Sequence, residues 1–486
     1  MFRFNLLATL QFFVFVAFVV LISLSPSLNI IPKSLLVTSF HDSQRLIQLL
    51  LIGLVLLHGM AFYKQESTFV VNRAIRYAVY ALITLAIASS CLAKSPRHAL
   101  IEISLFAGLS YLALFVARLY NDDKTLLIKR LVYVLWAGIL LYMVSFYVGY
   151  ITATTFNTAK PWPALLTGFS SIRSFNQYQL WGLGLITLPL LAFDFKNAYT
   201  RRWLHLALVL WWVILFYSTS RGALLAWGFG IACIALIYRK LAWQFIRLQL
   251  IYSTAGYIVY ALLFQFIPHL KETVGTSSAT SAAAAAVNTT STIMRNTMSD
   301  RTDLWSLSLK LIQDHPIFGV GPMHFAWYNT TVAHPHNSVL QLMEEWGLPA
   351  TLIILSIAGF YIYCWVNKFN IHSLKTQTRL DCQLVIILFF TIITNFAYSL
   401  VDGVLVMPLS QVMMFTVIGL MIAYYFDGHL TKAKQKNLFM PIFAGIILIA
   451  LAWSTMPEIL QSASGSEKHF SIGYTAVGPR FWLEVK

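Results

Sequence analysis

Apolar runs long enough to cross a membrane recur along the whole 486-residue chain. A transmembrane helix needs about 20 mostly apolar residues to cross roughly 30 Å of hydrocarbon, and about thirteen stretches of this sequence meet that requirement. In hydrocarbon each backbone N–H and C=O must find a partner within its own segment, so such runs fold as helices. The sequence therefore predicts an all-α polytopic membrane protein with about 12–13 transmembrane helices. The predicted spans are 5–24, 46–63, 76–93, 98–118, 128–150, 178–195, 202–218, 222–238, 248–266, 349–366, 382–400, 405–426 and 438–455.

Composition supports a membrane location for most of the chain. Only 11% of the residues are charged and 58% are hydrophobic, and so few charges could not cover the surface of a soluble protein of this length. The net charge of +16 does not indicate nucleic-acid binding, because lysines and arginines concentrate in short loops between spans. The first run is too long for a cleaved signal peptide, so we expect it to be retained. The four cysteines lack the spacing of metal ligands, so we interpret them as small residues that pack in the core.

The distribution of basic residues predicts the side of the membrane that each loop occupies. The loops richer in lysine and arginine belong on the cytoplasmic side, which places the N-terminus inside and the C-terminal tail outside. With this orientation the main concentrations of polar groups share the outer side, which indicates one functional region. They are the loop 151–177, the tight turn 218–222, the long segment 267–348 and the hairpin 398–405.

Hydropathy and composition divide the chain into five parts. N-terminal membrane helices occupy 1–170, and membrane helices with arginine motifs occupy 171–266. A helical outer loop domain with a histidine motif occupies 267–348. Membrane helices at 349–455 and an outer tail at 456–486 complete the chain.

Two stretches within the loop domain differ in character. Residues 275–292 are rich in Ala, Ser and Thr and form a low-complexity segment. Residues 299–314 carry apolar side chains at helical spacing and predict an amphipathic helix. The Gly/Pro-rich stretch 316–322 predicts a turn back towards the membrane.

The stretch NTTVAHPHNSVLQLMEEWGLP, residues 329–349, is the most polar run beside a span. His334 and His336 flank a proline, and an imidazole titrates near neutral pH and can act as a general base or a hydrogen-bond donor. Asn337 is expected to cap a short helix that ends at Gly347. At 100° per residue one face of that helix is polar. That face holds Asn337, Gln341, Glu344 and Glu345.

Arg221 lies in STSRGALLAWG, between two spans with almost no loop. A guanidinium there is costly unless it faces a polar cavity or a partner. Its planar donors match phosphate oxygens, and it stays charged when desolvated. The alternative is an arginine that snorkels from the end of a span to the membrane surface.

Three other charged residues are candidates for the same region. Arg173 precedes a span and could bind a lipid phosphate or a sugar. The alternative is an ordinary polar residue at the membrane interface. Arg301 begins the amphipathic helix, where a basic group opposes the helix dipole, so it is either solvated or recruited by an anion. Asp402 lies in a hairpin and either neutralises an arginine or is a turn residue before Gly403. The amides beside Arg173 suit the same ligand contact; they are Asn176, Gln177 and Gln179.

A zinc site is a rival use of His334, His336 and Glu344. A His-x-His pair is weak evidence for zinc when no third ligand follows at helical spacing. We therefore expect neither a metal nor another cofactor.

Three motifs together resemble the O-antigen ligase family. They are SRGALLA at 220–226, R-x-x-LW…IxDHPIFGVGPxxF at 301–325 and HNSVLQLMEEWG at 336–347. VDGVLVMPLSQ at 401–411 resembles a hairpin found in many members, and the resemblance covers about 170–411. The family includes lipopolysaccharide ligases, protein O-oligosaccharyltransferases and, more distantly, the Wzy polymerases.

The resemblance implies a reaction and a location. Such enzymes move a glycan en bloc from undecaprenyl diphosphate to an acceptor hydroxyl, on the periplasmic side of the bacterial inner membrane. The family's essential histidine corresponds to His336, and its arginines correspond to Arg221, Arg173 and Arg301. Tyr398 stands where many relatives have histidine, which leaves the acceptor open between a pilin-like protein and lipid A–core.

The residues fit that chemistry. Arginines can hold the growing charge of a lipid diphosphate without a metal, and His336 can take the acceptor's proton. We expect Glu344 to orient the imidazole or to stabilise its cationic form. The remaining candidates for substrate binding are Asn337, Gln341, His334 and Asp402. A Wzy-type polymerase is an alternative, and a transporter is another, although transporters favour polar interruptions and repeats in both halves.

Overall fold

The computed structural model describes residues 6–31, 40–61, 67–68, 72–156, 164–169, 171–195, 197–266, 299–329, 332–427, 431–432 and 439–463. The low-complexity stretch 275–292 lies outside the described residues, and so does most of the tail. Helices dominate the described chain, which confirms the all-α membrane class. The strand content is one antiparallel pair of two-residue strands, β1 (Ser67–Thr68) and β2 (Thr431–Lys432).

The described residues form seventeen α-helices. The first ten are α1 (Leu6–Val19), α2 (Phe40–Ala61), α3 (Arg73–Leu92), α4 (Pro96–Asp122), α5 (Lys124–Thr155), α6 (Ile172–Leu183), α7 (Leu188–Ala192), α8 (Ala198–Tyr217), α9 (Arg221–Tyr238) and α10 (Trp243–Tyr260). The others are α11 (Ser299–Asp314), α12 (Ser338–Trp346), α13 (Leu348–Lys368), α14 (Ile371–Lys375), α15 (Arg379–Ser399), α16 (Pro408–Phe426) and α17 (Phe439–Ala463).

Among the described residues, nine helical runs are long and apolar enough to cross a membrane, against about thirteen predicted spans. The predicted spans 222–238 and 248–266 form one continuous helical run, Arg221–Phe266, in which Arg239 has a φ of +48° and begins a four-residue 3₁₀ turn. The span predicted at 5–24 is a shorter helix, Ala8–Leu24. The span predicted at 202–218 is α8, whose first turns carry arginines and a histidine that lower its hydropathy.

The span predicted at 178–195 is wrong as a single helix. The run is interrupted between α6 and α7 by a three-residue 3₁₀ turn, Leu185–Thr187. Gly184 begins this break and lies so close to α15 that a Cβ would come within 2.8 Å of Thr391 Oγ1. Pro189 then restricts the backbone at the start of α7. The interrupted helix lies inside the bundle, because every residue of α6 from Ser174 onward is buried.

One hydrophobic core joins most of the membrane helices, and α15 lies at its centre. In its most apolar window α15 is 78% buried, whereas α3 and α13 are 17% buried and contribute the outer surface of the bundle. A second, smaller core lies where α3, α12 and α13 meet. Its buried members are Ala86, Leu342, Trp346 and Ala350.

The predicted amphipathic helix at 299–314 is confirmed as α11. Its apolar stripe packs on the stretch that follows, burying Leu304 and Leu311 against Val320 and Phe325. At the other end of the chain, α17 continues past the predicted boundary at 455 to Ala463. The first residues of the predicted tail are therefore helical. This extension buries Glu458, which pairs with Arg97 and His98.

Candidate active site

Helix α12 carries the histidine motif at its N-terminal end, as the sequence predicted. The Asn337 side-chain oxygen accepts from the backbone N–H groups of Val339 and Leu340, at 3.0 and 3.1 Å. The helix ends after Trp346 at Gly347, where a φ of +83° is costly for any residue with a side chain. Asn337 and Gly347 therefore fix the two ends of α12, and His336 lies immediately before the Asn337 cap.

His336 precedes the cap with left-handed backbone, φ +56°, which is uncommon for a residue other than glycine. Its ring lies between groups from two distant parts of the chain. Nε2 lies 3.0 Å from Arg173 Nη1, and Nδ1 lies 3.4 Å from Asp402 Oδ1. Because a guanidinium only donates, Nε2 must accept from Arg173. The proton of the neutral imidazole then belongs on Nδ1, facing the carboxylate.

Asp402 is 2% exposed and accepts hydrogen bonds on both oxygens. The backbone N–H of Gly403 donates to Oδ1 at 2.8 Å, and Gln177 Nε2 donates to Oδ2 at 3.3 Å. Burial by itself would raise the pKa of this carboxyl, but His336, the Gly403 N–H and His334 hold the pKa below its usual value. Asp402 is therefore ionised at neutral pH and presents a full negative charge to the imidazole.

Two further arginines share this space with Arg173. The pKa of Arg301 is lowered by burial first and then by the charge of Arg173, with a smaller effect from Arg221, while Asp402 acts in the opposite direction. Charges that influence one another in this way lie close together, because Coulomb interactions weaken with distance. Arginine stays protonated in proteins, so Arg301 feels the charges of two other cations and one carboxylate.

A tight turn between α8 and α9 positions Arg221, the first residue of α9. Ser218 Oγ in this turn donates to Asn176 Oδ1 of α6 at 2.8 Å. Gly222 packs against the end of α15, where a Cβ would lie 3.3 Å from the Tyr398 ring. The turn is thereby held between α6 and α15, at the same end of the bundle as the other arginines.

The amides of α6, assigned by the sequence to ligand contact, have structural partners instead. Asn176, Gln177 and Gln179 are 0%, 1% and 0% exposed. Asn176 accepts from the turn before α9, and Gln179 Nε2 donates to the Trp211 carbonyl at 2.9 Å. Gln177 donates a hydrogen bond to Asp402. The sequence did not predict this role, because the spacing of residues along a helix does not reveal contacts with a hairpin more than 200 residues later in the chain.

The carboxylate beside the imidazole is Asp402 rather than Glu344. Helix α12 runs away from His336, and Glu344 lies about 10 Å further along its axis from the cap. Glu344 is fully buried, and its backbone carbonyl accepts from the Val320 N–H at 2.8 Å. Gln341 is also buried, at 1% exposed, so the polar face predicted for α12 packs inside the protein.

A cation site is geometrically possible beside His336. Among the described residues, potential ligand atoms of His334, His336 and Asp402 all lie within 4.8 Å of one another, so the third ligand would be Asp402 and not Glu344. The two imidazole rings are 4.3 Å apart in an edge-to-face arrangement. The surroundings oppose a metal ion, however, because Arg173 lies at hydrogen-bond distance from Nε2 of the His336 ring and Arg301 adds a second positive charge.

Comparison with known proteins bears on the middle of the chain. Residues 206–355 match a family model described as O-antigen ligase. No curated protein matches the chain. The matched range contains Arg221, Arg301 and the histidine motif, whereas Arg173 and Asp402 lie on either side of it. The match supports a membrane ligase that transfers glycans. The resemblance seen in the sequence is therefore confirmed, because residues 206–355 of this multi-pass membrane protein are similar to the O-antigen ligase family.

Proposed function

We propose that this protein moves an oligosaccharide en bloc from undecaprenyl diphosphate to a hydroxyl of a periplasmic acceptor, without a metal. The observation that carries the proposal is the contact of His336 with both Arg173 and Asp402, inside a cluster that also holds Arg221 and Arg301. The cluster combines a candidate base with several cations. That combination suits a reaction with an alcohol nucleophile and an anionic leaving group.

The cations suit a diphosphate. The cluster holds three guanidinium groups and one carboxylate, so it has excess positive charge before any substrate binds. As the bond from the anomeric carbon to the lipid diphosphate breaks, negative charge grows on the departing oxygen. Fixed donors aimed at that oxygen stabilise the transition state more than the ground state.

His336 suits the acceptor. As the acceptor oxygen attacks the anomeric carbon, its proton passes to Nε2 of His336, and the resulting imidazolium faces ionised Asp402. In the structure Arg173 donates a hydrogen bond to Nε2, so the guanidinium must move away before Nε2 can accept the proton. A diphosphate draws it away, because a charged acceptor forms a stronger hydrogen bond with arginine than a neutral imidazole does. Donor binding thus exposes the base.

The location rests on charge distribution. The positive-inside rule favours the non-cytoplasmic side for the loops that carry this cluster, and the family resemblance makes that side the periplasmic face of the bacterial inner membrane. The polyprenyl tail of the donor would lie in the bilayer, with its diphosphate at the interface beside the arginines. The acceptor is a pilin-like protein or lipid A–core, and mass spectrometry of both from a strain that lacks this gene separates the two.

The direct test is a reconstituted transfer reaction. Purified protein in lipid vesicles is given undecaprenyl-diphosphate-linked glycan and candidate acceptors, and release of undecaprenyl diphosphate is measured together with glycosylated product. We expect both in equal amounts. Polymerised glycan on the lipid, without transfer to protein or lipid A–core, identifies a Wzy-type polymerase. Solute movement across the vesicle without any release of undecaprenyl diphosphate contradicts the proposal.

Metal chelation is expected to leave the transfer rate unchanged, because the arginines supply the charge that a metal would otherwise provide. The measurement is the initial rate after dialysis against a chelator, compared with the rate after addition of zinc or magnesium. Loss of activity that zinc restores would instead place a metal on His334, His336 and Asp402.

Asp402→Asn is expected to lower kcat by about 10²-fold, because a neutral amide no longer stabilises the imidazolium or fixes its tautomer. The KM for the lipid-linked donor should change little, since Asp402 repels rather than binds a diphosphate. Asp303→Asn is the matched control, because this carboxylate is exposed on α11. An unchanged kcat in Asp402→Asn would remove the carboxylate from the mechanism.

A further inference from the structure

We propose that Arg45, a buried arginine of α2, is a positioning residue that holds the hairpin carrying Asp402. The hairpin, residues 400–407, connects α15 to α16. Arg45 lies outside the range matched by the family model and far from His336 along the chain. The catalytic effect of this residue rests on the proposed function, whereas its effect on the hairpin does not.

Arg45 is only 1% exposed, in a helix long and apolar enough to span the membrane. Its guanidinium donates to three oxygens. Nη1 donates to Gln48 Oε1 and to Gln411 Oε1, each at 2.6 Å, and Nη2 donates to the Val406 carbonyl at 2.7 Å. A buried arginine is costly unless its donors are satisfied, so this geometry indicates a specific structural purpose.

The hairpin is held at three successive carbonyls. The Val404 carbonyl accepts from Ser410 Oγ, and the Leu405 carbonyl accepts from Gln411 Nε2, both at 2.7 Å. The Val406 carbonyl accepts from Arg45. Side chains from α2 and α16 thus replace the backbone partners that a sheet or a helix would supply, as the low-dielectric interior requires.

The same hairpin sets the position of Asp402. Its backbone carbonyl accepts from the Val404 N–H at 3.1 Å, and the Gly403 carbonyl accepts from the Val406 N–H at 3.0 Å. The backbones of Val404 and Val406 are therefore hydrogen-bonded both within the turn and to side chains of α16 and α2. If Arg45 is lost, Val406 loses its donor, and Asp402 is free to move from its place 3.4 Å from His336 Nδ1.

The arrangement is specific for arginine. The planar fork reaches two amides and one carbonyl at once, whereas the single ammonium of lysine cannot reproduce that geometry. Gln411 connects the two parts of the network, because it accepts from Arg45 and donates to Leu405. Gln48 Nε2 also donates to Gln411 Oε1 at 3.0 Å, which completes the network across α2 and α16.

Hydrogen–deuterium exchange tests the structural part without any substrate. Peptides that cover residues 400–407 are expected to exchange at least about tenfold faster in Arg45→Leu than in the unmodified protein, since a buried backbone contact is lost. The control is Gln44→Leu, in the same helix turn. Gln44 is 3% exposed, and its Nε2 donates to the Gly168 carbonyl instead of to the hairpin. Equal exchange in both variants overturns the proposal.

Kinetics test the link to Asp402. Arg45→Leu is expected to lower kcat by about 10- to 100-fold with an almost unchanged donor KM, and Arg45→Lys should give an intermediate rate. In the background of Asp402→Asn, adding Arg45→Leu should cause no further loss, because the residue acts only through that carboxylate. A full additional loss in the double variant contradicts positioning and indicates general damage to the fold.

Two other outcomes are also decisive. If Arg45→Leu does not accumulate in the membrane, Gln411→Leu removes an acceptor of the same guanidinium and the donor to Leu405, and it should give the same exchange and kinetic results. If the unmodified protein transfers no glycan, the proposed function fails, while the exchange experiment still decides whether Arg45 holds the hairpin.

Discussion

Replacing His336 with alanine is expected to lower the kcat of glycan transfer by about 10²- to 10⁴-fold, the range that a positioned general base contributes. The loss follows from the geometry, because no other imidazole among the described residues contacts both Arg173 and Asp402. The KM for the donor should change less than kcat, since the arginines that face the diphosphate remain. The measurement is the release of undecaprenyl diphosphate under saturating donor and acceptor.

The matched control for this variant is His315→Ala. His315 follows α11, is exposed, and belongs to the same loop domain without contacting the cluster. Both variants should accumulate in the membrane as the unmodified protein does, so that a difference in rate reflects chemistry. Full activity in His336→Ala would exclude this histidine as the base.

Arg221→Ala is expected to lower kcat by about 10²- to 10³-fold, as does the removal of one preorganised donor from a developing anion. Arg221→Lys should recover little of that loss, because an ammonium does not reproduce two parallel bonds to phosphate oxygens. Transfer and binding are separated by measuring kcat together with the affinity for undecaprenyl-diphosphate-linked glycan.

Arg247→Ala provides the control for Arg221→Ala. Arg247 is exposed near the start of α10, within the same continuous helical run but away from the cluster. Arg173→Ala and Arg301→Ala should also lower kcat, because each removes one of the three guanidinium groups assigned to the diphosphate. Normal transfer by Arg221→Ala would mean that this arginine is an ordinary residue at the end of a span.

The helices that the sequence predicted correctly are those determined by interactions between residues close together along the chain. Asn337 and Gly347 bound α12 as predicted, because a cap and a left-handed glycine act on the turn next to them. The spacing of leucines predicted α11, and continuous apolar runs predicted most of the membrane helices, since the membrane acts on each segment by itself. The interrupted helix at 178–195 is the exception, because the close contact of Gly184 with α15 involves two segments.

The functional roles of the predicted site residues stay predictions, and the structure places a different carboxylate beside the imidazole from the one that the sequence suggested. His336 lies 3.0 Å from Arg173, and the charge of Arg301 is influenced by Arg173 and Arg221. Glu344 was the wrong carboxylate, because proximity along the helix suggested it. The partner that the structure supplies, Asp402, lies beyond α15, and the sequence offered only a hairpin aspartate with no indication of its neighbour.

The sequence by itself determined the membrane class, the resemblance to O-antigen ligases, the histidine helix and the short list of charged groups, because each depends on hydropathy or on residues within a few turns. Only the tertiary structure decided which carboxylate faces His336, why the amides of α6 are buried, and that Arg45 holds the hairpin. Those contacts join segments that lie from 32 to 361 residues apart along the chain. In a low-dielectric interior a polar group must be paired with whichever neighbour the packing brings to it.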